Sequence, residues 1–198
     1  MGEQKGGGVS VMEVKTVYFD TPGRDNTAAT MRIARRRAEE LGIKTILVAS
    51  TIGDTAVEAV KVFKGLKVIV VTHAAGFKEP NTQEFTQENR RKVESKGALV
   101  LTAIHAFAGI DRAMRKRFNM YLLGDIIAST LRIFGEGMKV ACEISLMAAD
   151  AGLVRTDEDV VAVAGTGSGA DTAIVLSPVN TTDFFSLRVK EILCKPHF

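Results

Sequence analysis

The 198-residue sequence has only two cysteines, Cys142 and Cys194. They show neither metal-ligand spacing nor a disulfide framework, which argues against a cross-linked secreted scaffold and a cysteine-held metal. A reducing cytoplasm is the compartment this usage implies. Long apolar runs are also missing. Segments such as Val68 to Val71 and Val160 to Ala164 fall far short of the roughly 20 residues that cross a bilayer, so no membrane span is expected. The opening MGEQKGGGVS lacks the apolar region and cleavage site of a secretory signal, and a flexible leader over residues 1–10 is expected. Aromatic residues make up 6% of the chain, and the basic clusters Arg35 to Arg37 and Arg112 to Arg117 are not interleaved with stacking side chains. With a net charge of only +3, these clusters read as solvated helix faces, and no nucleic-acid partner is expected.

What is present is an ordinary globular composition, 46% hydrophobic and 25% charged, which supports a folded core. The length suits one domain over residues 11–198. No internal repeat or linker interrupts it.

The pattern along the chain alternates. Val14 to Phe19 reads as a strand, then Asp20, Thr21, Pro22 and Gly23 turn the chain into a helix capped at Asp25 or Asn26 and closed by Gly42. Further strands are expected at Thr45 to Ala49, Val68 to Val71, Ala98 to Leu101 and Val160 to Ala164, with more candidates at Asp171 to Leu176 and Phe184 to Leu193. Between them lie helices from about Asp54 to Phe63, Thr86 to Lys96 and around Asp111. A long helical region from about Tyr121 to Ala151 is interrupted near Gly135 and Gly137. Continuous apolar strands separated by amphipathic helices predict an α/β fold, three layers with a mostly parallel sheet covered on both faces.

Three strands end in polar, glycine-containing loops: Ser50-Thr51-Ile52-Gly53-Asp54-Thr55, Thr72-His73-Ala74-Ala75-Gly76 and Gly165-Thr166-Gly167-Ser168-Gly169. Ligands of open α/β sheets lie outside the carboxyl ends of the strands, so the three loops are expected to line one crevice. The first sits between strand and helix, where free amides and the helix dipole favour a phosphate, although its Ser, Thr and Asp also suit simple capping. The third lacks the G-x-G-x-x-G spacing of a dinucleotide fingerprint and leads into a strand; Asp171 follows it. Thr21, Asn26 and Thr27 close the first strand and add polar groups near the crevice, or serve only the Pro-Gly turn and helix cap. His73 and His105 each follow a strand and suit proton transfer near neutral pH, or fill hydrogen-bonded structural roles. Two histidines without a ligand motif predict no metal site.

The order of strand, Ser50-Thr51-Ile52-Gly53-Asp54-Thr55-Ala56, helix and Val68-Ile69-Val70-Val71-Thr72 resembles the carboxy-terminal α/β domain of pyruvate kinase. The likeness continues through Gly152-Leu153-Val154 and Gly165-Thr166-Gly167-Ser168-Gly169. More closely, Pro22-Gly23-x-x-Asn26-Thr27, Ala49-Ser50-Thr51-x-Gly53-x-Thr55-Ala56, Thr72-His73 and Gly165-Thr166-x-x-Gly169-Ala170-Asp171-Thr172-Ala173 resemble the stand-alone proteins built on that domain. The resemblance implies a phosphorylated small-molecule ligand, with flavin mononucleotide as first candidate and flavin-dependent redox chemistry as its consequence. A regulatory or homo-oligomerisation module without catalysis is the alternative. In that case the helical region from Tyr121 to Ala151 supplies a face through Ala128, Ala141, Ala148 and Ala149, residues that equally suit a buried core. Pyruvate kinase activity is not expected, since there is no room for the catalytic barrel, and Asp54 stands where a basic residue often follows the loop glycine.

Overall fold

The computed structural model describes residues 11–198; the leader expected over residues 1–10 lies outside the described residues. Seven strands form one sheet: β1 (Val17–Phe19), β2 (Thr45–Ala49), β3 (Lys67–Thr72), β4 (Leu99–Thr102), β5 (Val160–Ala164), β6 (Thr172–Ser177) and β7 (Arg188–Pro196). Their order is β1-β7-β6-β5-β2-β3-β4. β6 runs antiparallel to both its neighbours, and the other adjacent pairs are parallel. The carboxyl ends of β2, β3, β4 and β5 therefore share one edge with the amino end of β6.

Among the described residues there are six α-helices: α1 (Thr27–Leu41), α2 (Asp54–Val62), α3 (Gln87–Glu94) and α6 (Glu136–Asp150), which pack on the sheet, and α4 (Gly109–Phe118) and α5 (Leu123–Arg132), which extend outward from α6. The alternation along the central strands assigns the faces. Ile46, Val48, Val70, Val161 and Val163 pack with Met31, Ala34, Ala59 and Phe63 of the α1 and α2 layer. Leu47, Ile69, Val71, Ala162 and Ala164 point the other way, against Met138, Ala141 and Cys142 of α6. Strands buried on both sides carry continuous apolar runs, and the three-layer, mostly parallel architecture expected from those runs is the one observed.

Differences from the expected elements have local causes. The strand expected from Val14 begins only at Val17, because its ladder with β7 holds three residue pairs, Val17 to Phe19 against Cys194 to Pro196. The strand expected from Phe184 begins at Arg188. Thr181–Ser186 forms a 3-10 turn instead, and Phe184 packs edge-on against Phe107 at 5.6 Å between ring centroids. The helical region from Tyr121 splits into α5 and α6 at Gly135, whose φ of 117° suits glycine. Gly137, by contrast, lies within α6, where a Cβ would strike the Thr172 side chain, so its bare Cα sets the close approach of α6 to β6. Ala128, Ala141, Ala148 and Ala149 are buried within the chain's own core. The apolar side chains that this region turns outward include Leu123 and Ile126 of α5 and Ile133 just past its end, with Tyr121 and Phe134 beside them in sequence.

Candidate functional site

A cleft of about 680 Å³ opens at the carboxyl edge of the sheet. The turn after β2 forms one wall. There Ser50 donates its amide to Val71 O, and its hydroxyl accepts the Ala56 amide at 3.3 Å, folding the turn over the first residues of α2. The amides of Thr51 through Thr55 meet no acceptor among the described residues. Those of Gly53, Asp54 and Thr55 are orphan donors of a helix start, which attract anionic oxygen, and those of Thr51 and Ile52 precede them in the turn. The Asp54 carboxylate at that helix start is held by Asn89 Nδ2 at 3.2 Å and lies 3.6 Å from the Arg24 guanidinium. Its charge is thus partly offset within the protein.

The loops after β3 and β4 bring two histidines to the opposite wall. His73 Nδ1 lies 2.8 Å from the Glu84 carboxylate, and its Nε2 lies 3.5 Å from the Thr51 hydroxyl. Gln83 donates to the His73 carbonyl at 3.0 Å, and the Thr72 hydroxyl donates to the same carbonyl at 2.9 Å, so both backbone and ring are held. His105 lies 5.2 Å from His73 between ring centroids, and Phe77 packs on both rings with the Arg112 guanidinium 3.8 Å over its own. Behind them α6 contributes a buried pair, Lys139 and Glu143. The Glu143 carboxylate lies 3.8 Å from His105 Nδ1 and accepts the Phe107 amide at 3.1 Å. Burial lowers the His105 pKa from its usual 6.5; Glu143 opposes the shift, and the nearby His73, Lys139 and Arg112 charges reinforce it.

Of the residues singled out in the sequence, Thr27, Ser50, Thr51, Ile52, Asp54, Thr55, Thr72, His73, His105, Gly165, Gly167, Ser168 and Gly169 all line this cleft. Others support it from behind. Asp171 is fully buried and accepts the amides of Gly23 at 2.9 Å and Thr166 at 3.1 Å, tying the turn after β1 to the β5–β6 loop. Asn26 spends its side-chain amide on the carbonyls of Thr21 and Gly23, and with those two residues it forms the turn rather than the cleft wall. Gly53 packs against Asn89, and Gly76 lines a smaller adjoining pocket of about 260 Å³.

Glu84, Phe77, Lys139 and Glu143 complete the site without having been singled out, and Arg112, read from the sequence as part of a solvated helix face, instead lies over Phe77 in the cleft wall. Lys139 and Glu143 left a sequence signal: opposite charges four residues apart inside the largely apolar run from Met138 to Ala149. Among the described residues, no three His, Cys, Asp or Glu side chains are grouped to hold a metal ion. No helix among them is long and apolar enough to cross a membrane.

A pyruvate kinase from Cryptosporidium parvum is similar in structure at 14% identity and a TM-score of 0.40, a match that covers 76% of this chain and 22% of that one. The family model described as the pyruvate kinase alpha/beta domain matches residues 28–176. That match runs from the first turn of α1 to the end of β6 and takes in every loop of the cleft except the turn after β1. The chain belongs to the pyruvate kinase alpha/beta domain family.

Proposed function

We propose that the cleft binds a phosphorylated small molecule, with its phosphate on the Ser50 to Thr55 turn and the rest of the ligand against Phe77, His73 and His105. The observation that carries this reading is the run of five amides, Thr51 through Thr55, without a protein acceptor beside a cavity of small-molecule size.

Flavin mononucleotide is the first candidate. The chain's residues fit it in two respects: a single phosphate suits the amide turn, and a flat ring suits the aromatic wall of Phe77 and His105, stacked 19° from parallel. A bound flavin would supply hydride or electron transfer, while the chain would hold and orient it and shield it from water. Cys142 and Cys194, both free and buried, are compatible with a cytoplasmic setting.

A visible absorption spectrum of the purified protein, with mass spectrometry of whatever denaturation releases, tests the flavin. Titration calorimetry with flavin mononucleotide and with inorganic phosphate tests the wider reading. Ile52 is half exposed, so Ile52→Asp adds a negative charge beside the turn without disturbing the core. It is expected to weaken either ligand by roughly tenfold or more, and Ile52→Asn by less. Equal affinity in the wild type and Ile52→Asp would defeat the placement.

A second reading, a regulatory or subunit-contact module, draws on Leu123 and Ile126 of α5 and Ile133 just past its end, each more than half exposed. Light scattering distinguishes it, since a strict monomer at working concentrations removes a homo-oligomeric role.

A further inference from the structure

Thr51, His73 and Glu84 come from three separate segments: the turn after β2, the end of β3 and the loop before α3. They meet in one line of contacts. Glu84 Oε2 lies 2.8 Å from His73 Nδ1, and His73 Nε2 lies 3.5 Å from Thr51 Oγ1. A carboxylate accepts and cannot donate, so a neutral imidazole that gives its Nδ1 proton to Glu84 is the tautomer whose Nε2 lone pair faces the Thr51 hydroxyl. Hydroxyl, imidazole and carboxylate in that order are the parts of an activated nucleophile, and the hydroxyl-to-base distance is commonly loose before a ligand draws it in.

The surroundings match the chemistry that such a hydroxyl performs. The amides of Ile52, Gly53 and Asp54, which meet no acceptor among the described residues, follow Thr51 directly in sequence and are donors of the kind that stabilises negative charge building on an attacked centre. All three side chains line the 680 Å³ cleft, with His73 about one-third and Glu84 about one-fifth exposed, so a ligand reaches them. Gln83 and Thr72 fix the His73 carbonyl, which limits the ring's movement away from Thr51.

We propose that Thr51, His73 and Glu84 form a nucleophile, base and positioning carboxylate that hydrolyse a phosphate monoester; this rests on the placement of phosphate at the Ser50 to Thr55 turn. His73 Nε2 takes the Thr51 hydroxyl proton as Thr51 Oγ1 bonds to phosphorus. The ester P–O bond breaks, and the departing alkoxide takes the proton back from Nε2. Water then gives a proton to Nε2 as its oxygen bonds to phosphorus, the Oγ1–P bond breaks, and Thr51 Oγ1 recovers the proton. The sum is ester plus water to alcohol plus inorganic phosphate. Glu84 keeps its negative charge throughout, and that charge stabilises the imidazolium of each half-reaction.

The test uses 4-nitrophenyl phosphate with the full-length protein, following nitrophenolate release and quenching in acid to search for phosphate on the Thr51 peptide. Release with a phosphorylated Thr51 is expected. His73→Gln should slow release by roughly 10²- to 10⁴-fold. Glu84→Gln, which keeps the shape but loses the charge, should lower kcat more than it changes KM and shift the pH profile of release. Thr51→Ser should retain turnover, whereas Thr51→Val should abolish it. Calorimetry with inorganic phosphate separates the two levels. Phosphate binding without any release overturns the catalytic inference and leaves the binding reading standing. Absence of phosphate binding removes the placement beneath both. Release that persists in Thr51→Val overturns the covalent route. Circular dichroism of each variant establishes that a lost rate is not a lost fold.

Discussion

Lys139 and Glu143 form an ion pair one turn apart on α6, with side chains only 8% and 4% exposed, in the wall of the cleft. Two charges taken out of water cost several kcal/mol each, and the pair persists because each neutralises the other and Glu143 also accepts the Phe107 amide. Lys139→Met leaves the Glu143 charge buried without its partner and should cost about 3–5 kcal/mol. Lys139→Met combined with Glu143→Gln removes both charges and keeps an acceptor for Phe107, so it should recover most of that loss. Urea unfolding of the two single variants and the double variant closes the cycle, and additive losses would contradict a direct pair.

His105 sets a pH dependence. Its folded pKa lies below the usual 6.5, because burial disfavours the imidazolium. The unfolded chain therefore binds the proton more readily, and stability is present above about pH 6.5 and lost as pH falls through the folded value. The groups facing the ring are Glu143, which opposes the shift, and Lys139, Arg112 and His73, which favour it. The depressed carboxyls of Asp150 and Asp159 act lower, beneath their ordinary 3.8. Melting temperatures measured downward from pH 7 should fall less steeply in His105→Gln than in the wild type, and parallel curves would contradict the assignment.

The sheet interior was legible because burial on both faces writes a local pattern. Val68 to Val71 and Val160 to Ala164 can hardly be anything but covered strands, and Gly42 ends α1 with a φ of 69°. The carboxyl-edge loops were legible for the same reason, since a strand's end fixes where its loop must lie. Glu84 and Phe77 were not, because they sit in a polar stretch without period, and their partners His73 and His105 come from different strands. Lys139 and Glu143 wrote a signal that was passed over: charges on the inner face of a helix whose neighbours are apolar. Phe184 misled because an aromatic residue suits a strand, whereas here it packs on Phe107 from a 3-10 turn.

Asp171 ties the turn after β1 to the β5–β6 loop through its side chain. Oδ2 accepts from the Gly23 and Thr166 amides, Oδ1 accepts from the Thr172 hydroxyl, and the residue is fully buried. Asp171→Ala strands those donors, at about 1–3 kcal/mol for each group left without an acceptor. The turn after β1 and the β5–β6 loop should then open together. Hydrogen exchange should show faster exchange at both Gly23 and Thr166, and a change confined to one loop would deny the link.

Gly53 holds the anion turn in its shape for two separable reasons. Its φ of 107° is one that side chains rarely adopt, and a Cβ there would lie 2.5 Å from Asn89 Cβ. Asn89 cannot simply move aside, because its side-chain amide donates to Ile52 O at 3.1 Å and to Asp54 Oδ1 at 3.2 Å. Gly53→Ala therefore meets backbone strain of about 1–3 kcal/mol together with a steric cost of similar size. Asn89→Gly removes the clashing Cβ at about 1 kcal/mol in helix propensity, plus the two lost hydrogen bonds. If the two costs are distinct, Asn89→Gly should cost less in the Gly53→Ala background than in the wild type, because it relieves the clash while the φ strain remains. Denaturant unfolding of the four proteins measures that coupling, and a coupling near zero would mean that Asn89 does not crowd the turn. Phosphate affinity in Gly53→Ala should fall, since a strained backbone at residue 53 turns the neighbouring amides away from the arrangement that the proposed anion site needs.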